Sequence, residues 1–348
     1  MRRRTDDALR TPGRHGPALV SDYRGVICDL DGVVYRSGRD IAGAIDALNR
    51  VVRSRRSIVF ATNNASREPS TIGAHLQELG LVDGPWSVAT SADVAAHHLA
   101  ALVPPGSPVL AVGGPGVAAA LDGVGLISVR VGDPAAGSVV AVVQGLGHEV
   151  TWRELAEVGY LARAGVPWVA TNLDPAVPTD RGVAPGNGAL VKVVETVAGV
   201  APRSVGKPEP GFFATAQRML GTPLEQTLLC GDRLDTDIAG ARAAGIDSLL
   251  VLSGITDLQA LASAPTSLRP TFVAPDLGGL VAPARRLLPA RDEAIRLADG
   301  VPHAADVTDR QRVLEWVVMT SWAVVDSGGQ LSDRGEPWRA LARQLALP

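Results

Sequence analysis

Lysine is nearly missing from this 348-residue chain: of its 33 basic residues only Lys192 and Lys207 are lysines. Arginine serves wherever plain positive charge is needed, so a retained lysine marks a place suited to a compact, point-like ammonium; Lys192 illustrates the alternative, a lysine present by chance. Cysteine is almost as scarce. Two residues, Cys28 and Cys230, exclude a disulfide framework and suit a reducing cytoplasm. Excess charge of one sign is lacking too: a net charge of −3 makes no electrostatic case for nucleic acid or an anionic membrane as partner. No apolar run reaches transmembrane length. The start, Met1-Arg2-Arg3-Arg4, leads into Asp6, Asp7 and a Thr11-Pro12-Gly13 turn rather than an apolar segment, so no secretory signal is expected.

With 46% hydrophobic and 20% charged residues the chain reads as globular, and its length accommodates two ordinary domains with an appendage. Everything is organised around Val26-Ile27-Cys28-Asp29-Leu30-Asp31-Gly32. An apolar, β-branched run closed by a glycine-containing turn reads as a buried strand of a parallel sheet, here over Tyr23 to Asp29. In such sheets chemistry collects beyond the carboxyl ends of the strands. Asp29 and Asp31 stand at that end, and two carboxylates so close repel unless a cation or a proton lies between them. The same residues also suit an Asx-turn that merely closes the strand, and this motif alone leaves both readings open.

The alternation continues. Ile41 to Arg55 has helical spacing, and Ser57 to Ala61 is a second strand ending in Thr62-Asn63-Asn64. A helix capped by Ser66 or Ser70 follows to Leu79, stopped by Gly80. From about Pro85 to Gly199 further strands (Val109 to Val112, Ser138 to Gln144, Trp168 to Thr171) alternate with helices such as Thr151 to Ala164, enough for a separate α/β unit. Within it, Asn172 to Gly188 reads as a long loop of the functional kind. Core texture resumes at Gly206-Lys207-Pro208-Glu209-Pro210 with a helix from Phe212 to Leu220. A strand at Thr227 to Cys230 then ends in Gly231-Asp232-Arg233-Leu234-Asp235-Thr236-Asp237. A helix from Ile238 to Ala244 and strands at Ser248 to Leu252 and Thr271 to Val273 complete the pattern. The tail reads as a charged helix (Ala284 to Ala298), a Trp-containing apolar run (Val313 to Val325), a hairpin-type turn at Asp326-Ser327-Gly328-Gly329 and a helix from Trp338 to Leu347.

Four strand ends thus carry complementary groups: the carboxylates Asp29 and Asp31, the hydroxyl and amides of Thr62, Asn63 and Asn64, the ammonium of Lys207, and the acidic cluster Asp232, Asp235 and Asp237. Phosphoryl transfer needs this mixture. A carboxylate can attack phosphorus and split a hard step in two, Mg²⁺ prefers carboxylate and water oxygens and screens anion from anion, and hydroxyl, amide and ammonium donors hold the transferring oxygens.

The ordered set Asp-x-Asp-Gly, Thr-Asn-Asn, Gly-Lys-Pro-Glu-Pro and Gly-Asp-Arg-x-x-Thr-Asp resembles the haloacid dehalogenase superfamily. The resemblance is closest to its branch with a large inserted α/β cap, the NagD-type, phosphoglycolate/glycerol-3-phosphate and pyridoxal-phosphate phosphatases. It covers residues 22 to 280. The inserted unit adds Thr171-Asn172-x-Asp174, Pro178, Gly182 and Pro185-Gly186-x-Gly188. The resemblance implies an α/β fold: a Rossmann-like doubly wound parallel-sheet core (20–84 and 200–282), a cap (85–199) and an additional C-terminal module (283–348). It implies that Asp29 is nucleophile and Mg²⁺ ligand, and that Asp31 is general acid/base and lends its backbone carbonyl to the metal. Thr62, Asn63, Asn64 and Lys207 would bind the phosphoryl group, Asp232 the metal, and Asp237 would act on the metal through water. Asp235 is expected to be a solvated turn residue. Asp31 itself separates phosphatases and phosphomutases from pumps and dehalogenases.

A cap of this size excludes macromolecules, so a small phosphorylated metabolite is the expected partner. The polar loop with Asn172, Asp174, Thr179, Asp180 and Asn187 suits the hydroxyls of glycerol 3-phosphate, and Arg181 would meet the carboxylate of 2-phosphoglycolate, the second choice. A phosphomutase, or a phosphate-sensing module with a dormant site, are the rival readings. The tail is expected to be an appendage packed on the core, and the cap or the tail could mediate a homo-oligomer. Cys28 and Cys230 lie just before active-site aspartates on strands placed side by side; they read as small buried hydrophobes, or as a pair whose oxidation impairs the site.

Overall fold

The Gly25–Cys28 strand is buried along its whole length, and five parallel strands share its sheet. The order across the sheet is Phe272–Ala274, Asp247–Val251, Thr227–Gly231, Gly25–Cys28, Ser57–Thr62 and Trp86–Thr90. The computed structural model describes residues 16–36, 38–179, 181–284, 286–287, 297–298, 300–302 and 309–347. From its first strand the chain winds outward through Ser57–Thr62 to Trp86–Thr90. It returns on the opposite side at Thr227–Gly231, in register with the first strand through Cys28 and Cys230. The winding therefore reverses between these two strands, which opens a crevice beyond their carboxyl ends. Asp29 and Asp232 are the residues that follow.

A second parallel sheet, ordered Arg203–Ser204, Trp168–Ala170, Ala141–Gln144, Pro108–Val112 and Ile127–Val129, forms the inserted unit. Both expected cap boundaries need correction. Trp86–Thr90, assigned to the cap, pairs with Ser57–Thr62 over five residues as the edge of the core sheet, and Arg203–Ser204, assigned to the core, pairs with the cap strand Trp168–Ala170. Strand pairing is a long-range choice that composition does not reveal. One apolar cluster even runs through both units, joining Ile27, Val59 and Phe212 to Val109, Val117 and Val143.

Local signals are mostly where expected. Thr151 caps Trp152–Arg163 with a reciprocal capping box to Glu154. The helix before Gly80 differs: it starts at Pro69 with Glu68 as an uncapped N-cap, because Ser66 is bonded to Asn64 Oδ1 instead. The expected loop from Asn172 to Gly188 holds an antiparallel hairpin, Ala176–Thr179 with Gly182–Pro185; Asp180 at its turn lies outside the described residues.

The tail departs furthest from expectation. Most of the predicted helix Ala284 to Ala298 lies outside the described residues, and Leu297–Ala298 pairs with Val301–Pro302 instead. Asp326 to Gly329 is no hairpin. It closes the Arg310–Asp326 helix, with Gly328 left-handed (φ 80°) and the N–H groups of Gly329 and Gly328 bonded to the carbonyls of Val324 and Val325. That helix and Gly335–Gln344 bury Leu314, Val318, Trp322 and Trp338 against Leu250, Leu261 and their neighbours in the core. Trp322 is 1% exposed, donates to the Leu261 carbonyl (2.9 Å) and is covered by the Arg269 guanidinium at 4.9 Å. Trp322→Ala is therefore expected to lower stability by about 3–5 kcal/mol in urea unfolding, with turnover unchanged below the transition.

Candidate active site

Asp29 leaves the first strand with its backbone N–H still bonded to the Cys230 carbonyl (2.9 Å), which ties it to the neighbouring strand. Its Oδ1 accepts from Lys207 Nζ at 2.7 Å. The same ammonium donates to Asp237 Oδ1 at 2.7 Å and to the Ala61 carbonyl at 3.0 Å, so all three of its protons are used. Lys207 is 6% exposed. Burial by itself would lower the ammonium pKa, but the carboxylates of Asp237 and Asp29 more than reverse this and raise it, so it stays charged throughout the working range.

Asp232 follows the Thr227–Gly231 strand and turns its carboxylate into the same space. Oδ2 accepts the Ile255 N–H at 2.7 Å, while Oδ1 is buried with no hydrogen-bond partner among the described residues. A Cβ on Gly254 would overlap this carboxylate, and one on Gly32 (φ +83°) would crowd it; a close approach explains both glycines. Oxygens of Asp29, Asp232 and Asp237 all lie within 4.8 Å of one another. Burial, then the neighbouring acid Asp237, pushes the Asp232 carboxyl up to about 7, and burial above all pushes Asp29 upward. Three buried carboxylates face one ammonium, and one carboxylate oxygen has nothing to bond. That donor set fits a hard divalent cation.

Asp237 is expected to act on the metal through water, and it lies against the other two acids because Leu234–Ile238 is wound as a π-type turn that brings residue 237 back beneath the strand end, with its Oδ1 taken by Lys207. Its Oδ2 accepts the Arg233 N–H (3.1 Å), and a Cβ on Gly231 would collide with it. The residue spacing held no sign of that winding. Asp235 is largely exposed and paired with Arg233, as a turn residue should be.

The Asp31 side chain is not in the carboxylate cluster. It is partly buried, and burial raises its pKa against the opposing charges of Arg67 and Lys207. Thr62 is buried and its Oγ1 accepts the Asn64 N–H (3.0 Å). Asn63 Oδ1 accepts the Lys207 N–H (2.7 Å), and its Nδ2 donates to the Lys207 carbonyl (3.2 Å). Asn64 Oδ1 holds Ser66.

The expected cap residues fare unevenly. Asn172 is buried and donates to the Asn63 carbonyl (2.7 Å), a tie between cap and core rather than an open donor. Asp174 pairs with Arg233 at 2.7 Å. Arg181 is exposed at the hairpin turn, where its backbone N–H bonds Thr179 Oγ1. Sequence reasoning missed Arg233 and Asn63 as partners of the cap. Cys28 and Cys230 are both fully buried and face each other in register on neighbouring strands, and burial raises both thiols, which disfavours the thiolate.

A profile described as haloacid dehalogenase-like hydrolase matches residues 26–127, and one described as HAD-hydrolase-like matches 204–280. The D-glycerol 3-phosphate phosphatase of Mycobacterium tuberculosis is 41% identical over 263 residues, 76% of this chain and 72% of that protein. The chain belongs to the haloacid dehalogenase-like hydrolases. Within them it is a phosphoric monoester hydrolase of the NagD-like branch. An acid sugar phosphatase of Staphylococcus saprophyticus is 32% identical over 75% of this chain and 98% of its own length. The crystal structure of a glycerol phosphate phosphatase from M. tuberculosis in complex with magnesium superposes with a TM-score of 0.79 at 35% identity, covering 96% of this chain and all of that one. So high a coverage reaches past Pro283 into the tail. A 4-nitrophenylphosphatase from Thermotoga maritima gives 0.68 at 28% identity over 76% of this chain and 98% of its own.

Among the described residues, no helix is long and apolar enough to cross a membrane.

Proposed function

We propose that this hydrolase is a Mg²⁺-dependent phosphomonoesterase that works through a phosphoaspartate on Asp29 and prefers glycerol 3-phosphate. The observation that carries the reading is the buried cluster in which Lys207 bonds Asp29 and Asp237 while Asp232 Oδ1 has no partner. Asp29 and Asp232 would hold the cation, with the backbone carbonyl of Asp31 beside them and Asp237 acting on it through water; when bound, it supplies positive charge that screens the carboxylates and phosphate from one another.

The chain's own residues account for the rest. The Asp29 carboxylate attacks phosphorus, the bond from phosphorus to the ester oxygen breaks, and Asp31 gives its proton to the leaving alkoxide. Burial raises the pKa of Asp31, the direction that suits a general acid. Now ionised, Asp31 takes a proton from water, which attacks the same phosphorus and releases Asp29 and inorganic phosphate. Lys207 neutralises the nucleophile and the transferring oxygens. The Thr62 hydroxyl and neighbouring amides hold those oxygens in place. The preference for glycerol 3-phosphate rests on the named relatives; the exposed position of Arg181 weakens the case for 2-phosphoglycolate.

A panel of phosphorylated metabolites ranked by kcat/KM in excess Mg²⁺ tests this. Glycerol 3-phosphate is expected first, with one phosphate released per ester consumed. Phosphate transfer to a second sugar hydroxyl would instead show a mutase.

A dependence on pH follows as well. With the Asp232 carboxyl pushed up to about 7 in the metal-free site, cation binding below that pH displaces its proton, so apparent affinity should fall as pH drops, by about tenfold per pH unit for each proton displaced. The stability sign is opposite: between its ordinary value near 4 and 7 the folded chain holds the extra proton, so metal-free stability declines as pH rises through that window. Calorimetric titration with Mg²⁺ and thermal melts in chelator check the two halves.

A further inference from the structure

Both carboxylate oxygens of the cap residue Asp174 are taken up by the core. Oδ1 accepts from Arg233 Nη1 at 2.7 Å, and Oδ2 from Asn63 Nδ2 at 3.1 Å. Each partner adjoins the phosphoryl site. Arg233 follows Asp232 in the chain, its side chain is braced by Asp235 at 2.8 and 3.0 Å, and its N–H holds Asp237 Oδ2. Asn63 grips both the N–H and the carbonyl of Lys207.

The cap, for its part, holds Asp174 firmly. Its N–H bonds Asn172 Oδ1 (3.2 Å), its carbonyl accepts the Gly188 N–H (2.9 Å), and a Cβ on Gly186 would strike that carbonyl. Asn172 meanwhile donates to the Asn63 carbonyl. The cap motif Thr171-Asn172-x-Asp174 with Gly186 and Gly188 therefore builds a rigid mount for one carboxylate aimed at the core.

We propose that Asp174 is a positioning residue of the reaction, through which the cap sets Lys207 by way of Asn63 and the Asp232–Asp237 turn by way of Arg233, rather than a contact to the leaving group. The inference rests on the phosphomonoesterase reading for its kinetic arm only. A residue that touches the leaving group affects substrates unequally; one that frames the phosphoryl site affects them alike.

The test compares Asp174→Ala, Arg233→Ala and the double variant on glycerol 3-phosphate and on 4-nitrophenyl phosphate. Asp174→Ala is expected to lower kcat by about 10–100-fold on both esters with KM little changed, and the double variant should lose less than the product of the two single losses, because the Arg233 arm is shared while the Asn63 arm is not. Asp174→Asn retains an acceptor oxygen and should recover part of the loss; it also carries the comparison if the alanine variant does not fold. A loss confined to one ester, or losses that multiply in the double variant, would overturn the proposal. Should the wild-type chain hydrolyse neither ester, the functional reading falls, and calorimetric Mg²⁺ binding decides the positioning role. Affinity about tenfold weaker in Asp174→Asn supports the role, and unchanged affinity refutes it.

Discussion

Asp29→Asn is expected to lower kcat/KM by about 10⁴-fold or more, the largest effect of any single substitution in this chain. The amide has nearly the size and shape of the carboxylate and keeps an oxygen for Lys207 Nζ, so the pocket is preserved while the nucleophile is removed. Acid quenching of a single turnover with labelled ester should leave phosphate on the Asp29 peptide of the wild type and none on the variant. A variant within tenfold of wild-type activity would mean that water attacks the ester directly. Stability should move the other way. Burial drives the Asp29 pKa upward, so the charged form is costly in the metal-free fold, and the neutral amide should melt at least as high in chelator.

The second large effect belongs to Lys207→Met. This removes the ammonium that bonds Asp29 and Asp237, both buried, and leaves the Ala61 carbonyl without that donor. Breaking a buried pair by deleting one partner costs about 3–5 kcal/mol, here measured as unfolding in chelator. Mg²⁺ should restore part of that stability by supplying positive charge to the same carboxylates. Turnover should not recover with it, because the donor to the transferring oxygens is gone; a loss of about 10³-fold in kcat is expected. Lys207→Arg should rescue poorly, since a planar guanidinium cannot place three donors around one buried point. Equal melting temperatures for variant and wild type in chelator would show that the ion pairs contribute nothing to the fold.

Much of this site is legible in one dimension because each group sits at the end of a strand. Apolar runs such as Val26-Ile27-Cys28 and Leu228-Leu229-Cys230 announce buried strands, and the polar residue after each can only project beyond the sheet edge. The scarcity of lysine made Lys207 conspicuous, and the structure buries it among carboxylates. That Asp237 lies against Asp29 and Asp232 depends on a π-type turn, and i→i+5 winding has no residue signature comparable to a cap or a glycine. Gly328 carries a related ambiguity. A left-handed glycine ends helices and makes hairpins alike, and only the bonds from Gly328 and Gly329 back to Val325 and Val324 distinguish them.

The order of the motifs, the parallel α/β class and the chemistry of the strand-end residues were determined by the sequence itself, since periodicity and turn chemistry are local properties. Which strands pair at the two cap boundaries, which acid shares the buried cluster, and that Asp174 faces Arg233 and Asn63 were decided only by tertiary structure. Such relations join residues far apart in the chain, as the 178 positions between Asp29 and Lys207 illustrate. Such pairings depend on how the packed layers close, a property of the whole chain that no short window contains.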